Sequence, residues 1–171
     1  MSATDPHTTL EPLPALDLPA AQALSAQDLL ERGRQRGQQA QLDYAGSLYP
    51  PEAWALVEAG AARLIDVRTA EELKFVGRVP HSQHVAWQTG PAMIRNPRFL
   101  RELQGKSAPD QVLVLLCRSG KRSAAAASAA ANAGFTQVFN VLEGFEGDLD
   151  QHQQRGDSGG WRLRGLPWVQ D

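Results

Sequence analysis

The chain has a single cysteine, Cys117, and it closes an apolar run, QVLVLLC (111–117). The next six residues are Arg118, Ser119, Gly120, Lys121, Arg122 and Ser123, three cations with no apolar side chain, and an alanine-rich stretch follows. Cysteine attacks as its thiolate, and a free thiol titrates at about 8.5, so at neutral pH the anion needs support. Two sources of support are written into this stretch. Three cations lie within five residues of the sulfur, and a helix opening near Arg122 would direct unpaired N–H groups and its positive dipole end at the same loop. Ser119 and Gly120 are small enough to let the backbone curl with its amides inward, as an anion-binding nest. A lone cysteine ending an apolar strand can equally be a small core residue. The abrupt change from apolar residues to RSGKR favours the nucleophile.

Such a loop works only if the surrounding elements hold it. QVLVLLC has the continuous apolar character of a strand buried on both faces, and RSAAAASAAANAG (122–134) reads as the helix after it. ARLIDV (62–67), SQHVAW (82–87) and TQVFNVL (136–142) read as further strands. PPEAWALVEAG, the acidic segment after Arg68 and NPRFLRELQG (96–105) read as the helices between them. Strands alternating with helices predict an α/β fold, an open, mostly parallel central sheet with helices on both faces. In such a sheet the loops leaving the carboxyl ends of the strands gather on one edge, where ligands bind. Those loops follow Val67, Trp87, Cys117 and Leu142, so the cysteine belongs on the ligand edge.

Upstream the pattern changes. Residues 1–24 contain Pro6, Pro12, Pro14 and Pro19 without sustained periodicity, and predict an extended or disordered arm. Ser25 with Asp28 predicts a capped, peripheral helix, in which Gly33 and Gly37 cost about 1 kcal/mol each. ERGRQR (31–36) reads as a solvated helix face. The division expected is therefore an N-terminal extension over 1–43, partly disordered and partly helical, before a domain over 44–171.

The bulk numbers exclude several classes. Lys and Arg number 17 against 19 Asp and Glu, so no basic excess suits a nucleic-acid backbone. No segment approaches the ~20 apolar residues that span a bilayer, and the first twenty residues carry neither Lys nor Arg nor an apolar run. A secretory leader is not expected, and one cysteine without an internal partner fits a reducing, cytoplasmic setting. His81 with His84, and Asp148 and Asp150 with His152, lack the partners of a metal site and read as loop residues.

CRSGKRS after an apolar strand resembles the active-site loop of the rhodanese-like single-domain sulfurtransferases. LIDVRTAEELKFVGRVPHSQHV, GFTQVFNVLEGFEG and GWRLRGLPW resemble other ordered segments of that family, so the likeness runs from about Leu48 to Trp168. Two departures stand out. Gly77-Arg78-Val79-Pro80 replaces the usual Gly-His-Ile-Pro, and a polar insertion, residues 148–160, follows LEGFEG. Two readings of the insertion stand side by side: it flanks the pocket and influences access or partner choice, or it is a solvated surface loop. Trp161, Leu163, Leu166 and Trp168 after it are expected to be core and capping contacts of a closing helix.

The resemblance implies a two-step sulfur transfer without a cofactor. Cys117 would take the outer sulfur of a small anionic donor such as thiosulfate and hold it as a persulfide. An external thiol, cyanide or a protein would then accept it. Amides from Arg118 to Ser123 would form the cradle, Lys121 and Arg122 would bind the donor's anionic end, and Arg118 would join them or face solvent. Asp66 would hold the neighbouring loop, and Arg68 would pair with an acid or line the pocket. The competing readings are a non-catalytic docking or sulfur-carrier module and a Cys-dependent phosphatase or arsenate reductase. The last needs Cys-x5-Arg, whereas Cys117 to Arg122 is Cys-x4-Arg.

Overall fold

A computed structural model describes residues 12–171. Of the arm expected over 1–24, residues 1–11 lie outside the described residues. The remainder differs from the expectation. Leu18–Ala23 forms helix α1, with Asp17 as its N-cap accepting from the Ala20 N–H and with proline in its first turn. Ala21 is fully buried, and Leu16, Leu18 and Leu24 pack on the core. Burial of these small apolar contacts supplies what sequence periodicity did not show.

Helix α2, Ala26–Gln39, begins at Ser25, whose hydroxyl accepts the Asp28 N–H as the cap predicts. It is not peripheral. It lies directly on a strand that sequence pattern gave no sign of, β1 at Gly46–Leu48. A Cβ on Gly46 would stand 2.0 Å from the Gly33 carbonyl oxygen, and one on Gly37 would stand 2.8 Å from that of Ala45. The helix glycines that look like a penalty are what allows helix and strand backbones to touch. Nor is ERGRQR a solvated face. Arg36 is 4% exposed and forks onto Glu52 at 2.8 and 2.9 Å. It also donates to the carbonyls of Leu13, Pro14 and Ser47.

Apart from a small hairpin within the segment expected to be the loop after Trp87, the remaining elements fall where the apolar runs and breakers put them. They are α3 (Pro50–Glu58), β2 (Arg63–Asp66), α4 (Ala70–Phe75) and β3 (Gln83–His84). After the small hairpin β4 (Gln88–Thr89) and β5 (Ile94–Arg95) come α5 (Phe99–Lys106), β6 (Leu113–Leu116), α6 (Lys121–Asn132) and β7 (Val138–Val141). The main sheet runs β1-β7-β6-β2-β3, with every neighbour parallel. Both faces are covered, as expected. Leu113 and Leu115 of β6 face a core with α5 and α6, through Phe99, Leu103, Ala126 and Ala130. Val114 and Leu116 face the other core, with Leu29, Ala53 and Leu56 of α2 and α3.

The closing helix expected around Trp161 does not form; residues 161–165 are turns. Gly160 and Gly165 adopt φ of +103° and +73°, left-handed values that interrupt a helix, and Pro167 follows. Trp161 is fully buried and Leu166 nearly so, whereas Leu163 and Trp168 are exposed. Among the described residues no helix is long and apolar enough to cross a membrane.

Candidate active site

Cys117 leaves β6, an inner strand of the sheet, and is 1% exposed. Gly120 turns the chain with φ +97° as the residue that caps α6, a conformation open to glycine and strained for other residues. That turn aims two amides at the sulfur. The N–H groups of Gly120 and Ser123 donate to Sγ at 3.1 and 3.3 Å. The Ser123 hydroxyl stands 3.1 Å from the same atom. Converging N–H groups at the first turn of a twelve-residue helix stabilise negative charge on whatever occupies that point.

The expected loops do meet on this edge. Phe145 and Glu146, which follow β7, donate their N–H groups to the carbonyls of Cys117 and Arg118 at 2.8 and 2.9 Å. Gly144 has to be glycine there, because a Cβ would lie 2.5 Å from the Cys117 oxygen. Behind them Asp66 and Arg68 are fully buried and pair through Nη2 and Oδ2 at 2.8 Å. Arg68 also donates to the Gly77 carbonyl, and its guanidinium lies 4.3 Å from the centre of the Phe145 ring. Of the two settings considered for Arg68, the structure shows the acid pair.

The cations divide into two groups. Arg122 is engaged: its two Nη atoms reach the Glu72 carboxylate at 2.7 and 2.9 Å. Burial would raise the Glu72 pKa, but the Arg122 fork and charge and the Thr69 amide outweigh it and hold the carboxyl below its ordinary value. Burial likewise opposes charge on Arg122, and Glu72, with smaller contributions from Cys117 and Asp66, more than offsets it and raises the guanidinium. Arg118 and Lys121 are exposed and Ser119 is half-buried. Arg118 lines a cavity of about 510 Å³ together with Thr69, Glu71, Met93, Glu146 and Arg155. The last of these comes from the insertion, where Asp150 accepts the N–H groups of His152 and Gln154 and Arg155 donates to the Gly147 carbonyl.

Two contributors were not singled out in the sequence. Glu72 sits within the acidic stretch after Arg68, and only the fold shows that it meets Arg122. Asn140 did leave a signal, a polar residue inside the apolar strand VFNV. It is 4% exposed. Its Nδ2 donates to the Gly120 carbonyl at 3.1 Å, and its Oδ1 accepts the Ser123 hydroxyl at 2.5 Å. One carboxamide thus fixes both donors of the sulfur cradle from behind. Asn140→Ala would remove the oxygen partner of the Ser123 hydroxyl and one of the two donors to the Gly120 carbonyl, which also accepts the Ala124 N–H, and should cost about 1 kcal/mol of stability. We expect alkylation of Cys117 by iodoacetamide to slow by about tenfold, since misplaced amides stabilise the thiolate less. An unchanged alkylation rate in a folded variant would remove Asn140 from this role.

Comparison with known proteins bears on the family and the fold. The family model of the rhodanese-like domain matches residues 49–150. An uncharacterized protein of Rickettsia rickettsii is 34% identical over 119 residues, 66% of this chain and 87% of the relative. Thiosulfate sulfurtransferase GlpE of Pseudomonas savastanoi is 32% identical over 97 residues, 57% of this chain and 80% of the relative. Among solved structures, Rv0390 from M. tuberculosis superposes with a TM-score of 0.67 at 41% identity, covering 75% of this chain and 99% of that one.

Proposed function

This chain belongs to the rhodanese-like domain family, and from that premise we propose that it transfers sulfane sulfur through a persulfide on Cys117. The carrying observation is the pair of N–H groups, from Gly120 and Ser123, that converge on the buried Sγ. In the first half-reaction the Cys117 thiolate attacks the outer sulfur of a donor such as thiosulfate. The new Sγ–S bond forms as the donor's S–S bond breaks, and sulfite leaves with that electron pair. The charge then resides on the outer sulfur, within the field of the cradle amides and the first turn of α6. Arg118 and Lys121, exposed beside the loop, attract the donor's anionic end, while Arg122 braces the loop through Glu72. The second half-reaction hands the sulfur to cyanide, a thiol or a protein. Cys117 is the only cysteine, so the acceptor comes from outside the chain. Its thiol must stay reduced between cycles, which suits the cytoplasm.

Intact-mass spectrometry after treatment with thiosulfate tests this reading. We expect one added sulfur atom, mapped to Cys117 and removed by cyanide. A protein that remains unmodified at saturating donor would instead support a non-catalytic docking module.

A further inference from the structure

The cavity beside the cysteine loop is larger than the donor requires. At about 510 Å³ it falls within the range of roughly 300–1,000 Å³ typical of sites for organic ligands, and a single tetrahedral ion would fill a small part of it. Of the charged residues that line it, Glu72 and Glu146 are paired with Arg122 and Arg162, and the other three are uncommitted. Arg68 and Arg122 are matched by Asp66 and Glu72. Arg118 and Arg155 line the cavity and, among the described residues, have no carboxylate partner. Glu71 lines the same space and likewise has no ion pair among the described residues. Main-chain bonds tie this wall together. Glu146 N–H donates to the Arg118 carbonyl at 2.9 Å, and Gly156 N–H donates to that of Glu146 at 3.1 Å. Arg155, from the insertion, is therefore held two chain segments from the residue that follows the sulfur. Val76 and Met93 supply an apolar strip in the same lining.

We propose that this cleft binds the sulfur acceptor, and that the acceptor is an organic thiol carrying both a carboxylate and an ammonium group. The proposal rests on the persulfide reading above. Arg118 and Arg155 take the carboxylate, Glu71 takes the ammonium, and the carbon skeleton lies along Val76 and Met93. The acceptor's thiol first passes its proton to the outer sulfur of the Cys117 persulfide anion, and the thiolate so formed attacks that sulfur. A new S–S bond forms, and the bond to Sγ breaks with its electron pair returning to Cys117. The acceptor departs as a persulfide that keeps the proton, and Cys117 is again a thiolate.

The test loads Cys117 with thiosulfate, verifies the added sulfur by intact mass, and measures discharge by four thiols compared at equal thiolate concentration. Cysteine carries both groups, 3-mercaptopropionate lacks the ammonium, cysteamine lacks the carboxylate and 2-mercaptoethanol lacks both. We expect kcat/KM for cysteine to exceed that for 2-mercaptoethanol by about tenfold, each matched charge contributing a few-fold. Arg155→Ala should lower the ratio of kcat/KM for 3-mercaptopropionate over cysteamine by about fivefold, and Glu71→Gln should raise it by about as much. If cyanide discharges the persulfide but the four thiols react alike, or the two variants move the ratio the same way, the cleft proposal is overturned and the persulfide reading stands. If no persulfide forms, both fall.

Discussion

Cys117→Ser is expected to fold normally and to lose thiosulfate-to-cyanide transfer by at least about 10³-fold, below detection in an ordinary assay. A serine oxygen fits the space of the sulfur, and the N–H groups of Gly120 and Ser123 can still donate to it. Near-isosteric changes of this kind cost about 1 kcal/mol or less in a packed site. What disappears is the chemistry. A hydroxyl is a far weaker nucleophile than a thiolate near neutral pH, and among the described residues the hydrogen-bond partners at that point are the Ser123 hydroxyl and two amide N–H groups, none of them a general base. Even if attack occurred, the product would lack the S–S bond that the second half-reaction breaks. Removing a nucleophile that acts as part of a unit typically costs orders of magnitude in turnover. The assay is sulfite or thiocyanate release by wild type and variant side by side, with urea unfolding as the control for folding. Equal turnover by the folded variant would place the reaction elsewhere. If the protein were a docking module, wild type and variant would be equally silent.

The sulfur site was legible because its parts are contiguous. The apolar run, the glycine turn and the first turn of α6 follow one another in the chain, so the order of residues already describes their geometry. The topology was legible for a related reason: strands buried on both faces show long apolar runs, and alternation with helices leaves few ways to connect them. What stayed hidden depends on contacts between distant segments. Gly33 and Gly37 carry a real helix penalty in isolation, and only the approach of Gly46 shows why the penalty is tolerated. The three residues of β1, Gly-Ser-Leu, are too few to show a period. Arg36 looks solvated until Glu52, sixteen residues later, is folded onto it. Arg122 reads as a free cation until Glu72 arrives from the first turn of α4. Asn140 is the intermediate case, since a polar residue within VFNV breaks the apolar run and asks for a buried partner.

Glu52→Ala is the second large effect, expected to lower stability by about 3–5 kcal/mol, because truncating one member of a buried pair leaves the other charge uncompensated. Glu52 is fully buried. Its carboxylate takes the Arg36 fork, Arg32 Nε at 3.0 Å and the Tyr49 N–H at 2.8 Å. With the carboxylate gone, Arg36 would remain inside with only carbonyl partners. The double variant Arg36→Met with Glu52→Leu should recover part of the loss, since apolar residues of similar volume often replace a buried pair at little cost. Recovery should be incomplete, because Arg36 also donates to the carbonyls of Leu13 and Pro14 and so fastens the segment before α1. The midpoint of urea unfolding measures all three proteins, and a single variant within about 1 kcal/mol of wild type would refute the argument. The consequence extends to the sulfur. Arg36 donates to the Ser47 carbonyl, Ser47 is in register with Asn140 across β1 and β7, and Asn140 holds Gly120 and Ser123 against Cys117. A helix outside the matched family region thus supports the edge strand β1, which pairs with the strand that backs the cradle, β7. Loosening it should make Cys117 alkylation in Glu52→Ala more heterogeneous at temperatures where the protein is still folded.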